Sequence, residues 1–120
     1  MVPLLDVRQK LKERLEELRD HDAAWSAVLE IGFRPTALWR QFDVTQRTFQ
    51  RIFKATTGQT ASDWILEVRI NEAKKLLRED WSVEDVAEAV GYATPSGLCR
   101  VFKEKTGMTA GEWQELEARH

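Results

Sequence analysis

Apolar residues along this chain recur at helical intervals almost everywhere. Residues 4–19 carry Leu5, Val7, Leu11, Leu15 and Leu18 among dense charge. From Leu11 the spacing runs four then three, which predicts an amphipathic helix with a solvated opposite face. Its simplest role is to lie against the rest of the chain, because two heptads are too short a seam to favour a dimeric coiled coil. A second apolar cluster, residues 23–33, either continues this helix beyond His21 or forms another. Residues 60–79 give the clearest long helix. Thr60-Ala61-Ser62-Asp63 is an N-terminal capping pattern, and Ala61, Ile65, Val68, Ala73, Leu76 and Leu77 share a face. No stretch alternates with period two and no Asn-Gly or Asp-Gly turn occurs, so strands are not expected.

The next apolar segment is sharply punctuated. Ser82 suits an N-cap, with Asp85 at the third helical position and Trp81 placed to close over Val86 as a hydrophobic staple. Val86, Ala87 and Val90 form an inward stripe that Gly91 ends, as glycine does where positive φ is needed. Tyr92-Ala93-Thr94 makes a tight turn, and Pro95 fits the first turn of a following helix. That helix points Leu98, Val101 and Phe102 inward and stops before Gly107. Helix, short glycine-containing turn, helix is the helix-turn-helix signature.

Offset by 49 residues, the chain matches itself. Thr45, Arg51, Phe53, Lys54, Thr57, Gly58, Thr60, Ala61 and Trp64 recur as Thr94, Arg100, Phe102, Lys103, Thr106, Gly107, Thr109, Ala110 and Trp113, nine identities in twenty positions. Two chance amphipathic helices do not explain shared Gly and Trp, which occupy special backbone and packing sites. The expected fold is therefore all-α, with two helix-turn-helix units. Residues 1–23 form the N-terminal amphipathic helix, 24–58 the first unit, 59–80 a linker helix, and 81–120 the second unit with a C-terminal helix. The first unit would pair a helix near residues 34–42 with one at 45–56. The linker, roughly 27–30 Å long at about 1.5 Å per residue, approaches the ~34 Å between major-groove faces on one side of a duplex. The leading helix of the first unit is atypical. Leu38 replaces Ala87, Gln41 replaces Val90, Asp43 falls near the turn, and Pro35 sits in the first helical turn. A competing register aligns Ile31-Gly32-Phe33, then Pro35 through Phe42, with Val90-Gly91-Tyr92 and Pro95 through Phe102. Both stay open on sequence alone.

Composition narrows the function. At 120 residues with 42% apolar and 32% charged side chains, the chain can build a core, which excludes disorder and a multidomain enzyme. The single Cys99 excludes an internal disulfide framework and a cysteine-based zinc site. His21 and His120 are remote from it in sequence, so it reads as a structural or surface thiol, and no cofactor or metal is expected. No apolar run suits a signal peptide or a membrane span, which makes the cytoplasm the default location. The net charge of −2 is awkward for a nucleic-acid binder, but it is unevenly spread. Residues 34–58 hold Arg34, Arg40, Arg47, Arg51 and Lys54 against Asp43 alone, a local +4, whereas residues 81–120 hold four basic and seven acidic groups, −3. Phosphate attraction follows the local field.

The polar face of the helix starting at Thr45 carries Thr45, Gln46, Arg47, Thr48, Gln50, Arg51 and Lys54, with Phe49, Ile52 and Phe53 on its core face. Arg can bond guanine O6 and N7, and Gln can bond adenine, each bidentately; Thr and Lys suit phosphates. The equivalent helix offers Thr94, Ser96, Arg100 and Lys103, while Pro95, Gly97 and Cys99 add little hydrogen-bonding capacity. Carboxylates sit at helix-surface spacings that indicate solvation rather than acid–base chemistry. Gly58 and Gly107 read as helix ends rather than a phosphate loop. Trp64 and Trp113 are expected beneath the two helices rather than stacked on bases.

Phe49-Gln50-Arg51-Ile52-Phe53-Lys54 with Thr57-Gly58, Arg69 with Ala73 and Leu76-Leu77, and Val86-Ala87 with Val90-Gly91-Tyr92 occur in order. Arg100 with Phe102-Lys103, Gly107-Met108-Thr109 and Trp113 follow. Over roughly residues 24–119 the chain thereby resembles the DNA-binding domain of AraC/XylS-type transcription regulators. The resemblance implies sequence-specific binding to promoter double-stranded DNA by two recognition helices in adjacent major-groove segments, and contact with RNA polymerase. It favours Arg47, Gln50 and Arg51 for bases or adjacent phosphates. The chain is expected to act as a transcription regulator without enzymatic activity, and a linker helix of roughly 27–30 Å can hold two reading helices one DNA turn apart, so it is expected on DNA as a monomer rather than a dimer. The chain has no room for the sensor domain frequent in that family, so it is expected to be a single-module regulator or the DNA-binding part of a longer one. The alternative is an acidic helical module that binds another regulator or RNA polymerase instead of DNA.

Overall fold

Short polar side chains cap most of the helices, Thr60 and Ser82 at their expected places and Asp20, Thr45, Thr94 and Thr109 besides. The computed structural model describes residues 4–42 and 44–119, with side chains from Asp6 onward. Among these residues the fold is all-α, with the order α1 (Leu4–Glu17), α2 (His21–Glu30), α3 (Pro35–Trp39), α4 (Gln46–Thr57), α5 (Ala61–Arg78), α6 (Val83–Ala89), α7 (Pro95–Thr106) and α8 (Ala110–Ala118). The readings placed on Leu5, on Asp43 in the first turn and on His120 fall outside the described positions. No helix is long and apolar enough to cross a membrane among the described residues. The chain divides into two units, Met1–Val68 and Arg69–His120, with the boundary inside α5.

In the first unit the N-terminal stripe is buried within its own chain. Val7, Leu11 and Leu18 join the core, and α1 packs against α4. The second apolar cluster is a helix of its own. Asp20 breaks the run by accepting from the Ala23 amide as the N-cap of α2, and Ala24, Ala27 and Val28 are buried. The helix expected near residues 34–42 is only Pro35–Trp39. Arg34 at its N-cap makes no side-chain capping bond. Past Trp39 the chain tightens, with Gln41 N–H donating to Leu38 O at 3.3 Å and Phe42 N–H to Trp39 O at 3.0 Å. Leu38 still occupies the core, and α3 packs against α4.

The competing register has a local cause. Phe33 N–H donates to Val28 O at 3.1 Å and Tyr92 N–H to Ala87 O at 2.8 Å, each just after a glycine with positive φ, Gly32 at 61° and Gly91 at 88°. These are two helix endings of one kind. At the 49 offset, by contrast, whole elements correspond, α4 with α7.

In the second unit Val86, Ala87, Val90, Leu98 and Phe102 are buried as expected, while Val101 is half-buried. Here α6 and α8 both pack against α7. Trp81, expected to close over Val86, leaves 41% of itself exposed. Its backbone is fixed instead: Gln114 Nε2 donates to Trp81 O at 2.8 Å and to Leu77 O at 3.1 Å. The helix expected to act as a spacer serves both cores. Ala61, Trp64, Ile65 and Val68 belong to the first unit's cluster, and Ile70, Ala73, Leu76 and Leu77 are buried in the second.

Candidate nucleic-acid interface

The two twenty-residue repeats build the same frame. Thr45 and Thr94 cap α4 and α7, their hydroxyl oxygens accepting from Thr48 N–H at 3.3 Å and Gly97 N–H at 3.1 Å. Gly58 and Gly107 close the helices in the left-handed region at φ 78° and 86°, their amides donating to Lys54 O and Lys103 O. The Thr57 hydroxyl lies 2.8 Å from Phe53 O and 3.0 Å from Gln59 O. The Thr106 hydroxyl lies 2.7 Å from Phe102 O and 3.0 Å from Met108 O. Thr60 and Thr109 then cap α5 and α8 by accepting from Asp63 and Glu112 amides. Inside, Phe53 meets Trp64 edge-to-face at 6.2 Å and Phe102 meets Trp113 at 5.8 Å. Both indoles therefore sit in the core, as their repeat positions implied.

This frame turns the polar side of α4 outward. Gln46, Arg47, Gln50, Arg51 and Lys54 are exposed and Thr48 is half-buried. The Thr45 hydroxyl also donates to Thr48 Oγ1 at 3.0 Å, tying these two hydroxyls together at the start of the helix. Arg47, Gln50, Arg51, Lys54 and Ala55 line a cleft of about 590 Å³ whose other wall is Thr60, Ala61 and Ser62. Three cations and the first turn of α5, with its positive dipole end, thus face one concavity suited to anionic groups. Thr60 and Ser62 were legible only as capping residues. Their place across the cleft depends on the turn at Gly58, which brings α5 back beside α4.

On α7, Thr94, Ser96, Arg100 and Lys103 are exposed, Cys99 and Gly97 are half-buried, and the acidic Glu104 is also exposed. The turn before α7 is held by Arg69. Its Nε–H donates to Val90 O at 2.8 Å, and its guanidinium lies 4.1 Å from the centroid of the Tyr92 ring. The Tyr92 hydroxyl is buried without a hydrogen-bond partner among the described residues. Burial pushes its pKa above the ordinary phenol value; Arg69 and Arg100 oppose the rise, and Glu104 adds to it. Because the folded pKa is the higher one, the neutral phenol's contribution to stability is full below the unfolded pKa. It is lost as pH rises through the folded value. As Tyr92 is the only tyrosine, absorbance at the phenolate band should titrate later in folded protein than in denaturant. Coincident curves would contradict the burial. No group of three or more His, Cys, Asp or Glu able to hold a metal ion occurs among the described residues.

A helix-turn-helix domain family matches residues 38–116. The chain belongs to the AraC/XylS type of that family. Among AraC/XylS-type relatives, the HTH-type transcriptional regulator RipA of Corynebacterium diphtheriae is 40% identical over 67 residues, 56% of this chain and 20% of that protein. RipA of Corynebacterium glutamicum is 42% identical over 66 residues, 55% of this chain and 20% of that protein. The HTH-type transcriptional activator RhaR of Salmonella heidelberg is 30% identical over 89 residues, 73% of this chain and 32% of that protein. This AraC/XylS-type chain therefore spans a fifth to a third of these relatives. The crystal structure of a DNA-binding transcriptional dual regulator from Escherichia coli K-12 shares the fold, with a TM-score of 0.67 at 20% identity over 79% of this chain and 88% of that one.

Proposed function

We propose that this chain is a sequence-specific DNA-binding module of a transcription regulator, each unit presenting one recognition helix to adjacent major-groove segments of promoter DNA. The observation that carries the reading is the α4 face, where Arg47, Gln50, Arg51 and Lys54 share one cleft with the start of α5 on a frame whose relatives are named as transcriptional regulators. In this reading Arg47, Gln50 and Arg51 address base edges or the phosphates beside them. Lys54, with Arg100 and Lys103 on α7, neutralises phosphates, and the Ser96 hydroxyl donates to one. Thr45 and Thr94 fix the entry of each helix through their caps. Binding as a monomer, contact with RNA polymerase and a cytoplasmic location belong to the same proposal, as does the absence of any enzymatic role.

Fluorescence anisotropy with a labelled random duplex at two salt concentrations tests it. Binding should be clear at low salt and weaken steeply as salt rises, because phosphate neutralisation releases counterions. Lys103→Ala should weaken all sequences alike and lower the salt slope by about one unit. Absence of binding to any duplex at low salt would favour an acidic protein-interaction module.

A further inference from the structure

We infer that base discrimination is divided unequally between the units: α4 reads sequence, and α7 holds phosphates while leaving its half of the site almost unread. This rests on the DNA-binding reading above. The two helices offer equivalent backbone positions, because both begin at a capping Thr, end at a left-handed Gly and bury a repeat-equivalent Phe against a repeat-equivalent Trp. On that shared frame the exposed chemistry differs. Arg47 corresponds to Ser96, and Gln50 to the half-buried Cys99. Both side chains able to make bidentate base contacts at these positions are thus replaced by groups that cannot.

Pro95 and Gly97 add no polar side chain beside them. Packing does not impose the bareness at Gly97, since a Cβ there would meet Thr94 Oγ1 at 3.5 Å and Tyr92 Cδ1 at 3.6 Å, ordinary contact distances. What α7 keeps is Lys103, at the position of Lys54, and Arg100, whose charge is felt at Tyr92 together with that of Glu104. Glu104 stands where α4 has Ala55, so the field on this face is weaker and partly cancelled. Lys103 is a point cation that fixes register on the backbone and carries no sequence information, and Arg100, at the position of Arg51, is the one side chain left on this face of α7 able to make a bidentate base contact.

The experiment is selection of sites by the full chain from a randomised duplex, followed by anisotropy on single-base variants of the selected site. The wild type should select one half with strong base preferences, about 5- to 150-fold per contacted position, and one half nearly free of them. Arg47→Ala and Gln50→Ala should each flatten positions in the strong half. The double substitution Ser96→Arg with Cys99→Gln transfers the α4 pair to α7 and should create in the weak half a preference for the same base pairs. Thermal melting and low-salt binding to random duplex check that each variant is folded. Preferences of equal strength in both halves, preferences that survive Arg47→Ala with Gln50→Ala, or no new preference in the double variant would overturn the inference while leaving DNA binding intact. Loss of all duplex binding by the wild type would remove the functional reading as well.

Discussion

Phe53→Ala and Phe102→Ala should each destabilise their unit by about 3–5 kcal/mol, the usual cost of emptying a fully buried aromatic site. Both rings are 0% exposed. Each supports an indole edge-to-face, a geometry that adds to simple area burial. Phe53 should lie at the upper end, because it also meets Phe49 at 5.6 Å, which in turn meets Phe42 at 5.6 Å. At the position of Phe49 the second unit has Leu98, so Phe102 closes a smaller aromatic cluster. Equilibrium denaturation followed by tryptophan fluorescence reads both losses. Values near zero would mean that the rings are not where the repeat places them.

Arg69→Ala should cost the second unit about 2–4 kcal/mol. A hydrogen bond from a charged donor contributes about 1.5–3 kcal/mol, and a cation over an aromatic face about 0.5–2 kcal/mol. Arg69 makes both, to Val90 O and to the Tyr92 ring. Both contacts lie at the turn before α7. Arg69→Lys keeps the charge but not the planar guanidinium that can donate and stack at once, so it should recover only part of the loss. Urea titration of the three proteins decides. A lysine variant as stable as the wild type would show that charge alone matters at this turn.

Local chemistry was the legible part of this fold. Caps at Thr60 and Ser82, the stops at Gly58 and Gly107, and the buried stripes of α5, α6 and α7 all depend on residues within a few positions of one another, so spacing carries the information. The features that spacing does not show are those in which a distant group decides. The Arg34-led helix lacks a capping side chain, spans only five residues and is tied to the core through the buried Leu38. The Trp81 carbonyl is held by Gln114, which is 33 residues away. The Arg69–Tyr92 contact spans the whole of α6. In the interface, the exposed face of α4 could be read from periodicity, whereas the opposing wall of its cleft could not.

The Phe–Trp pairs also bear on how quickly order is reached. Phe53 and Trp64, like Phe102 and Trp113, are eleven positions apart, so the loop closed by each pair is short and its closure entropy small. Chains whose central contacts are near in sequence cross to the native state fast. Each half therefore carries the germ of its own core within a single stretch of twenty residues, and the ordering of α4 or α7 can start before the more distant segments have docked.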